Sequence, residues 1–259
     1  MKVLMIGCGK MGSALLQRWQ NTVDAQFTVV DPKAYDLPSW VDHVRTADAL
    51  KGETFDALII AIKPQMISEV AAAYTSLRAC DGVVISIAAG ASLASLSQAF
   101  ETDKVIRLMP NLPVVVGSGV TGLFSAGGAT AEHRFFAEGL AATTGYALWL
   151  QSEDQLDRIT AVAGSGPGYV FEIARVYIEA AEQLGFEPQE ARTIVLHTIL
   201  GSIDMALASN ASLSDLRDSV MSKRGTTEAG IDALTRDGLL GQLVQDATRA
   251  AYDRAIELR

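Results

Sequence analysis

Val3-Leu4-Met5-Ile6-Gly7-Cys8-Gly9-Lys10-Met11-Gly12 decides the fold of this chain. Four apolar residues lead into G-x-G-x-x-G, and the residues after it keep a helical rhythm to Trp19. That order predicts a strand, a tight turn and the start of a helix. Gly7 permits the turn. Gly9 has no side chain to keep the backbone from a pyrophosphate, and Gly12 lets the helix lie close to the sheet. The phosphate oxygens would meet free N–H groups where the helix dipole favours negative charge. Asp31 ends the second apolar run, 19 residues past Gly12, where a carboxylate should meet the adenine ribose diol. Asp31 suits a free 2′-hydroxyl and hence NADH, whereas Lys33, beyond the turn at Pro32, suits the 2′-phosphate of NADPH. The two side by side predict use of both cofactors.

Further β-rich runs lie at 27–30, 57–62, 83–87 and 105–108, and helix-like segments at 11–19, 66–77 and 93–100. Apolar strands alternating with helices imply parallel pairing with both sheet faces covered. Strand-like runs at 120–124 and 146–150, around a helical stretch at 131–142, extend the pattern. Residues 1–152 therefore read as an open α/β sheet domain. Two segments follow strands of that sheet, where such folds bind ligands: Ala61-Ile62-Lys63-Pro64-Gln65 and Ser86-Ile87-Ala88-Ala89-Gly90.

From Gln151-Ser152-Glu153-Asp154 onward helical periodicity takes over, so residues 153–259 read as an all-α domain. Over 167–184 the charges Glu172, Arg175, Glu179 and Glu182 form one narrow stripe, and 193–203 contains no Asp, Glu, Lys or Arg. Helices apolar nearly all round must be buried. Either a second copy covers them in a homodimer, or the domain encloses them itself. His197 reads as a core histidine.

Gly164-Ser165-Gly166-Pro167 reads as a helix start, with Pro167 in the first position and Ser165 or Gly166 as cap. Exposed N–H groups there would suit a carboxylate, although an ordinary interdomain turn has the same composition. Gly225-Thr226-Thr227-Glu228 repeats the theme, with a threonine as cap and Glu228 in the first turn, and capping alone accounts for it.

The composition narrows the partners. The chain has 259 residues, 49% hydrophobic and 20% charged, the profile of a folded globule, and its formal charge is −9. No concentrated basic face exists to meet nucleic acid or an anionic membrane. Two cysteines, Cys8 and Cys80, exclude a disulfide framework and a cysteine-based zinc site, and His43, His133 and His197 fit no ligand spacing, so no metal is expected. The N-terminal apolar run ends at once in a glycine turn and reads as a strand rather than a signal peptide, and stretches such as 83–89 are too short to cross a bilayer. The expected location is the cytoplasm.

Six motifs occur in order: Gly7-Cys-Gly-Lys-Met-Gly12, Ala61-Ile-Lys-Pro-Gln65, Ser86-Ile-Ala-Ala-Gly90, Arg107-Leu-Met-Pro-Asn-Leu-Pro113, Gly164-Ser-Gly-Pro-Gly-Tyr169 and Gly225-Thr-Thr227. Together they resemble the pyrroline-5-carboxylate reductase family over essentially the whole chain. The resemblance implies a Rossmann-type nucleotide-binding domain (1–152) followed by an all-α dimerisation and substrate domain (153–259). It also implies NAD(P)H-dependent reduction of 1-pyrroline-5-carboxylate, a cyclic imino acid, to L-proline, the last step of proline biosynthesis. The assembly it implies is a homodimer with interleaved helical domains, extended in some members to a decamer. Cofactor binding then falls to Ile6, Gly7, Cys8, Gly9, Lys10, Met11, Gly12, Asp31, Lys33, Ala61, Ile62, Lys63, Pro64, Ala88 and Ala89. Substrate binding falls to Ser165, Ser222, Gly225, Thr226 and Thr227, with the Thr227 hydroxyl on the ring nitrogen as the catalytic contact.

This chain departs from the family pattern in one loop, where Ser222-Lys223-Arg224-Gly225 replaces the usual Ser-Pro-Gly-Gly. Ala163 and Gly168 replace a usual serine and alanine. Two other readings stand beside this one. A related reductase of another cyclic imine or of a β-hydroxy acid is the first; the latter class needs an interdomain-helix lysine, and 166–184 has none. A nucleotide-binding regulator without turnover is the second; it would bind cofactor yet oxidise none.

Overall fold

The structure is a computed structural model that describes residues 1–20, 24–33 and 37–258. Its first part runs β1 (Lys2–Ile6), α1 (Lys10–Trp19), β2 (Gln26–Val30), β3 (Asp42–Val44), β4 (Phe55–Ile60), α2 (Pro64–Val70), α3 (Ala72–Thr75) and β5 (Arg78–Ser86). It continues through α4 (Leu93–Ala99), β6 (Val105–Pro110), β7 (Gly119–Phe124), α5 (Ala131–Ala142) and β8 (Gly145–Trp149). The strands form one sheet in the order β3-β2-β1-β4-β5-β6-β7-β8. Its direction of winding reverses between β1 and β4, both of which pair parallel.

β1 explains why the sheet lies at the centre. Val3 and Met5 join one apolar layer with Leu15, Leu16 and Trp19 of α1 and Phe136 and Leu140 of α5. Leu4 and Ile6 join the opposite layer with Ile67 of α2 and Leu93 and Leu96 of α4. A run of four consecutive apolar residues is needed because alternate side chains enter different cores.

Two features differ from the sequence expectation. β3 is a short edge strand of Asp42, His43 and Val44, which pairs with β2 through backbone alone and carries no apolar pattern. β6 and β7 pair antiparallel. Only residues 111–118 connect them, too few for the crossover that a parallel pair requires.

The second part comprises α6 (Glu153–Ile159), a π-type turn (Thr160–Gly164), α7 (Gly166–Gln183), α8 (Pro188–Ala208), α9 (Leu213–Ser219), α10 (Thr226–Thr235) and α11 (Leu239–Glu257). Two compact units result: Met1–Ser165 together with the residues from Ala251 on, and Gly166–Ala250. In this division α6 goes with the sheet, because it is fastened to it. Leu156 is buried, and Gly122 of β7 leaves space for Ile159. The Glu153 carboxylate accepts from Arg107 at 2.7 Å and from the Leu93 backbone N–H at 2.6 Å. The C-terminal end of α11 joins this unit through Tyr252, whose hydroxyl donates to Asp154.

The helical unit has little core of its own. Ala181, Ala191 and Val195 form its buried cluster. On α8, Leu200 is 56% exposed, Ile203 54% and Leu207 82%, and Phe171 and Ile173 of α7 are open as well. His197 is exposed on α8 and is not the core histidine expected. Enclosure of α8 by its own domain is therefore overturned. By length and composition α8, 21 residues of hydropathy 1.3, could cross a membrane, which corrects the expectation that no segment is long enough. Helices buried between soluble subunits have the same composition.

Candidate active site

In the first unit the glycine turn sits at the reversal between β1 and β4. Gly7 has φ 83° and donates its N–H to the Val30 carbonyl at 2.9 Å. A Cβ there would overlap Ile62 Cγ2 and lie 3.0 Å from the Ala61 carbonyl oxygen. A Cβ on Gly12 would come within 2.8 Å of Met5 Cε, so α1 packs against the sheet at glycine distance. Gly9 caps α1 without a side-chain hydrogen bond, and a Cβ on it would meet nothing within 4 Å. The turn thus leaves open space over the uncapped amides of Lys10 and Met11, a cradle that fits a dinucleotide pyrophosphate.

Asp31 follows β2 and ties the turn down. Its Oδ2 accepts from the Cys8 N–H and its Oδ1 from the Lys33 N–H, each at 2.7 Å. A carboxylate offers about four acceptor positions, so both oxygens retain capacity for a ribose hydroxyl. Burial, reinforced by the Asp31 charge, pushes the Cys8 thiol up to about 11, and it stays neutral at physiological pH. Burial, with Asp31 again contributing, also raises Tyr74. His43 of β3 places Nε2 2.8 Å from the Asp31 carbonyl oxygen, a contact sequence reasoning missed because nothing marks β3. Lys33 is exposed beside the acid.

The other two loops leave the neighbouring strands on the same edge. Ala61 donates to the Ile6 carbonyl at 2.9 Å, and Lys63 caps α2 with Pro64 in the first turn. Ile87 donates to the Ile60 carbonyl at 3.0 Å, and the buried Ser86 hydroxyl accepts from Ala88 N–H at 3.2 Å. The structure thus brings Ile6 through Gly12, Asp31, Lys33, Ala61 through Pro64, Ala88 and Ala89 to the C-terminal ends of β1, β2, β4 and β5. Among the described residues no cluster of His, Cys, Asp and Glu could hold a metal ion.

In the helical unit α10 begins differently from expectation. Gly225, at φ −84° and ψ 171°, is the N-cap; no threonine caps the helix, and Thr226 and Thr227 occupy its first two positions. Gly225 has no side chain to satisfy the amides of that first turn. Its own N–H donates to the Ser222 carbonyl at 2.8 Å, and a Cβ on it would strike Ser222. Glu228 turns back to accept from the Arg224 N–H at 2.5 Å. Arg224 has φ 60°, a region that costs a non-glycine residue about 1–2 kcal/mol and that explains glycine at this place in the family pattern.

The expectation at Ser165 is also corrected. Ser165 is helical, with φ −83° and ψ −22°, and its N–H donates to the Thr160 carbonyl at 2.8 Å. Ser165 thus has helical rather than extended dihedrals, while α7 begins at Gly166 with Pro167 in its first turn. The Ser165 hydroxyl is the group it can offer a ligand.

These features define a dinucleotide-binding protein of the doubly wound α/β class, extended by a helical unit. Residues 153–258 match the family model of the pyrroline-5-carboxylate reductase dimerisation domain, and residues 2–90 match that described as NADP oxidoreductase, coenzyme F420-dependent. The chain is 34% identical to the pyrroline-5-carboxylate reductase of Pseudomonas aeruginosa, covering 99% of this chain and 96% of the relative. For the Pasteurella multocida enzyme of that name the values are 32%, 99% and 97%. A solved pyrroline-5-carboxylate reductase from Coxiella burnetii superposes with a TM-score of 0.88 at 32% identity, covering 99% of this chain and 97% of that one. The chain belongs to the pyrroline-5-carboxylate reductase family.

Proposed function

We propose that this protein reduces 1-pyrroline-5-carboxylate to L-proline with NADPH or NADH, as the closing step of proline biosynthesis. The observation that carries this reading is the start of α10 in a chain of this family. A glycine cap leaves the first-turn amides to an anion, and two threonine hydroxyls stand beside them. The bound nicotinamide would supply a hydride to the imine carbon, whose π electrons move to the ring nitrogen.

The chain's own residues bind and orient. The glycine turn and Asp31 hold the dinucleotide, with Lys33, Ala61 through Pro64, Ala88 and Ala89 completing its site. Thr226 through its N–H and Ser222 through its hydroxyl hold the substrate carboxylate, Ser165 adds a second hydroxyl, and Gly225, whose own N–H is taken by the Ser222 carbonyl, contributes only the side-chain-free cap that leaves them room. The Thr227 hydroxyl hydrogen-bonds the ring nitrogen. An iminium is already electrophilic, so orientation matters more here than a strong protein acid.

We further propose residues 153–259 as the dimerisation and substrate domain. The open faces of α7 and α8 support a homodimer, the unit from which a decamer would be built. The charge of −9 supports action on a small molecule rather than on nucleic acid or an anionic membrane surface, and the reading of the N-terminal apolar run as β1 rather than a signal peptide supports the cytoplasm as its place. Thr227→Ala should lower kcat/KM about 10–100-fold, the worth of one hydrogen bond to a charged group, with an unchanged melting temperature. Steady-state kinetics beside a thermal melt checks this; wild-type kinetics in the variant would remove Thr227 from the site.

A further inference from the structure

The motif Arg107-Leu-Met-Pro-Asn-Leu-Pro113 has a part in none of the steps above, yet alternate residues of it grip the segment that ends at Ser165. Arg107, 4% exposed, holds Glu153 at the start of α6. Met109 Cε lies 3.2 Å from where a Cβ on Gly164 would stand, so glycine there lets the turn settle on β6. Asn111, 7% exposed, uses both ends of its carboxamide: Oδ1 accepts from the Val120 N–H at 2.8 Å, and Nδ2 donates to the Ala163 carbonyl at 2.9 Å.

The second of these bonds answers a specific vacancy. In a regular helix the Ala163 carbonyl would accept from the N–H four residues on, at position 167. That residue is proline and has no N–H. The chain widens here into a π-type turn, closed by Ser165 N–H on the Thr160 carbonyl. Asn111, distant in sequence, donates the hydrogen bond that Pro167 withholds.

We propose that Asn111 is a positioning residue for the reaction: by satisfying the Ala163 carbonyl it fixes the wide turn that sets the place of Ser165. The effect on turnover rests on the reading of Ser165 as a substrate contact.

Asn111→Asp keeps the acceptor for Val120 and removes the donor to Ala163. In that variant the Ser165 amide should exchange its hydrogen about tenfold faster or more. The KM for pyrroline-5-carboxylate should rise about tenfold or more, while the Kd for NADPH stays within about twofold. Pro167→Ala restores a backbone donor, so in the Asn111→Asp background it should recover most of both losses. It should also rescue folding if the single variant does not fold. Unchanged Ser165 exchange, faster exchange with unchanged KM, or no recovery from Pro167→Ala would each overturn the proposal. Wild-type protein inactive with pyrroline-5-carboxylate would overturn the functional reading instead, and the exchange and rescue measurements would still judge the latch.

Discussion

Gly7→Ala should raise the Kd for NADPH about 100-fold and lower the melting temperature by about 5–10 °C, whereas Gly9→Ala should weaken the cofactor and leave the melt unchanged. The two glycines stand two residues apart and do different work. At Gly7 the backbone has φ 83°, and a methyl group would overlap Ile62 while crowding the Ala61 carbonyl. A left-handed alanine costs about 1–2 kcal/mol, and displacing packed neighbours adds about 1–3 kcal/mol. Relief requires β1 and the loop after β4 to separate, which spoils the placement of the amides that face the phosphates. At Gly9 nothing lies within 4 Å of the added carbon, so the fold feels no strain. On the proposed placement of the dinucleotide, that space is the route of the pyrophosphate to the start of α1. Fluorescence titration with NADPH and a thermal melt on both variants separate these roles. Wild-type affinity in Gly9→Ala would contradict the placement of the dinucleotide.

Leu200→Glu on α8 should convert the proposed dimer to a monomer at micromolar concentration and cost the helical unit most of its stability. The buried apolar residues of that unit are Ala174, Ala181, Ala191 and Val195, too little to hold some 85 residues folded. The remaining apolar area is open, on α7 and α8 and also on α11, where Leu239, Leu240, Leu243 and Val244 are exposed. Covering one leucine contributes about 1.5–3 kcal/mol, and burying an unpaired carboxylate in its place costs several more. A twofold-symmetric interface contains each substitution twice, so the dimer constant should fall by at least about a thousandfold. Sedimentation velocity across a concentration series reads this directly. A variant that still sediments as a dimer, or a wild-type monomer, would contradict the covering of α8 by a second copy.

The sheet domain was legible because its signals are local. A strand, three spaced glycines, a helix and a terminal acid lie within residues 3–31, and the later strands other than β3 repeat a short apolar run. What could not be read depends on distant partners or on backbone angles. β3 owes its existence to the edge of β2, and the antiparallel turn to the length of the segment before β7. Thr226 looks like a cap until the dihedrals of Gly225 assign that place to the glycine. Pro167 signals a helix start in sequence, and α7 begins at Gly166; what the sequence hides is that Asn111 donates to the Ala163 carbonyl the hydrogen bond that Pro167 cannot. For α8 the sequence posed the right alternatives. The open face of the single chain removes one of them.

The most direct test of the account is to mix purified protein with pyrroline-5-carboxylate and follow the absorbance of reduced nicotinamide, using NADPH and NADH in turn. The account predicts oxidation of both, one equivalent per proline formed, with kcat/KM values within about 100-fold of each other. A protein that binds either cofactor yet oxidises neither in the presence of this imine would contradict it.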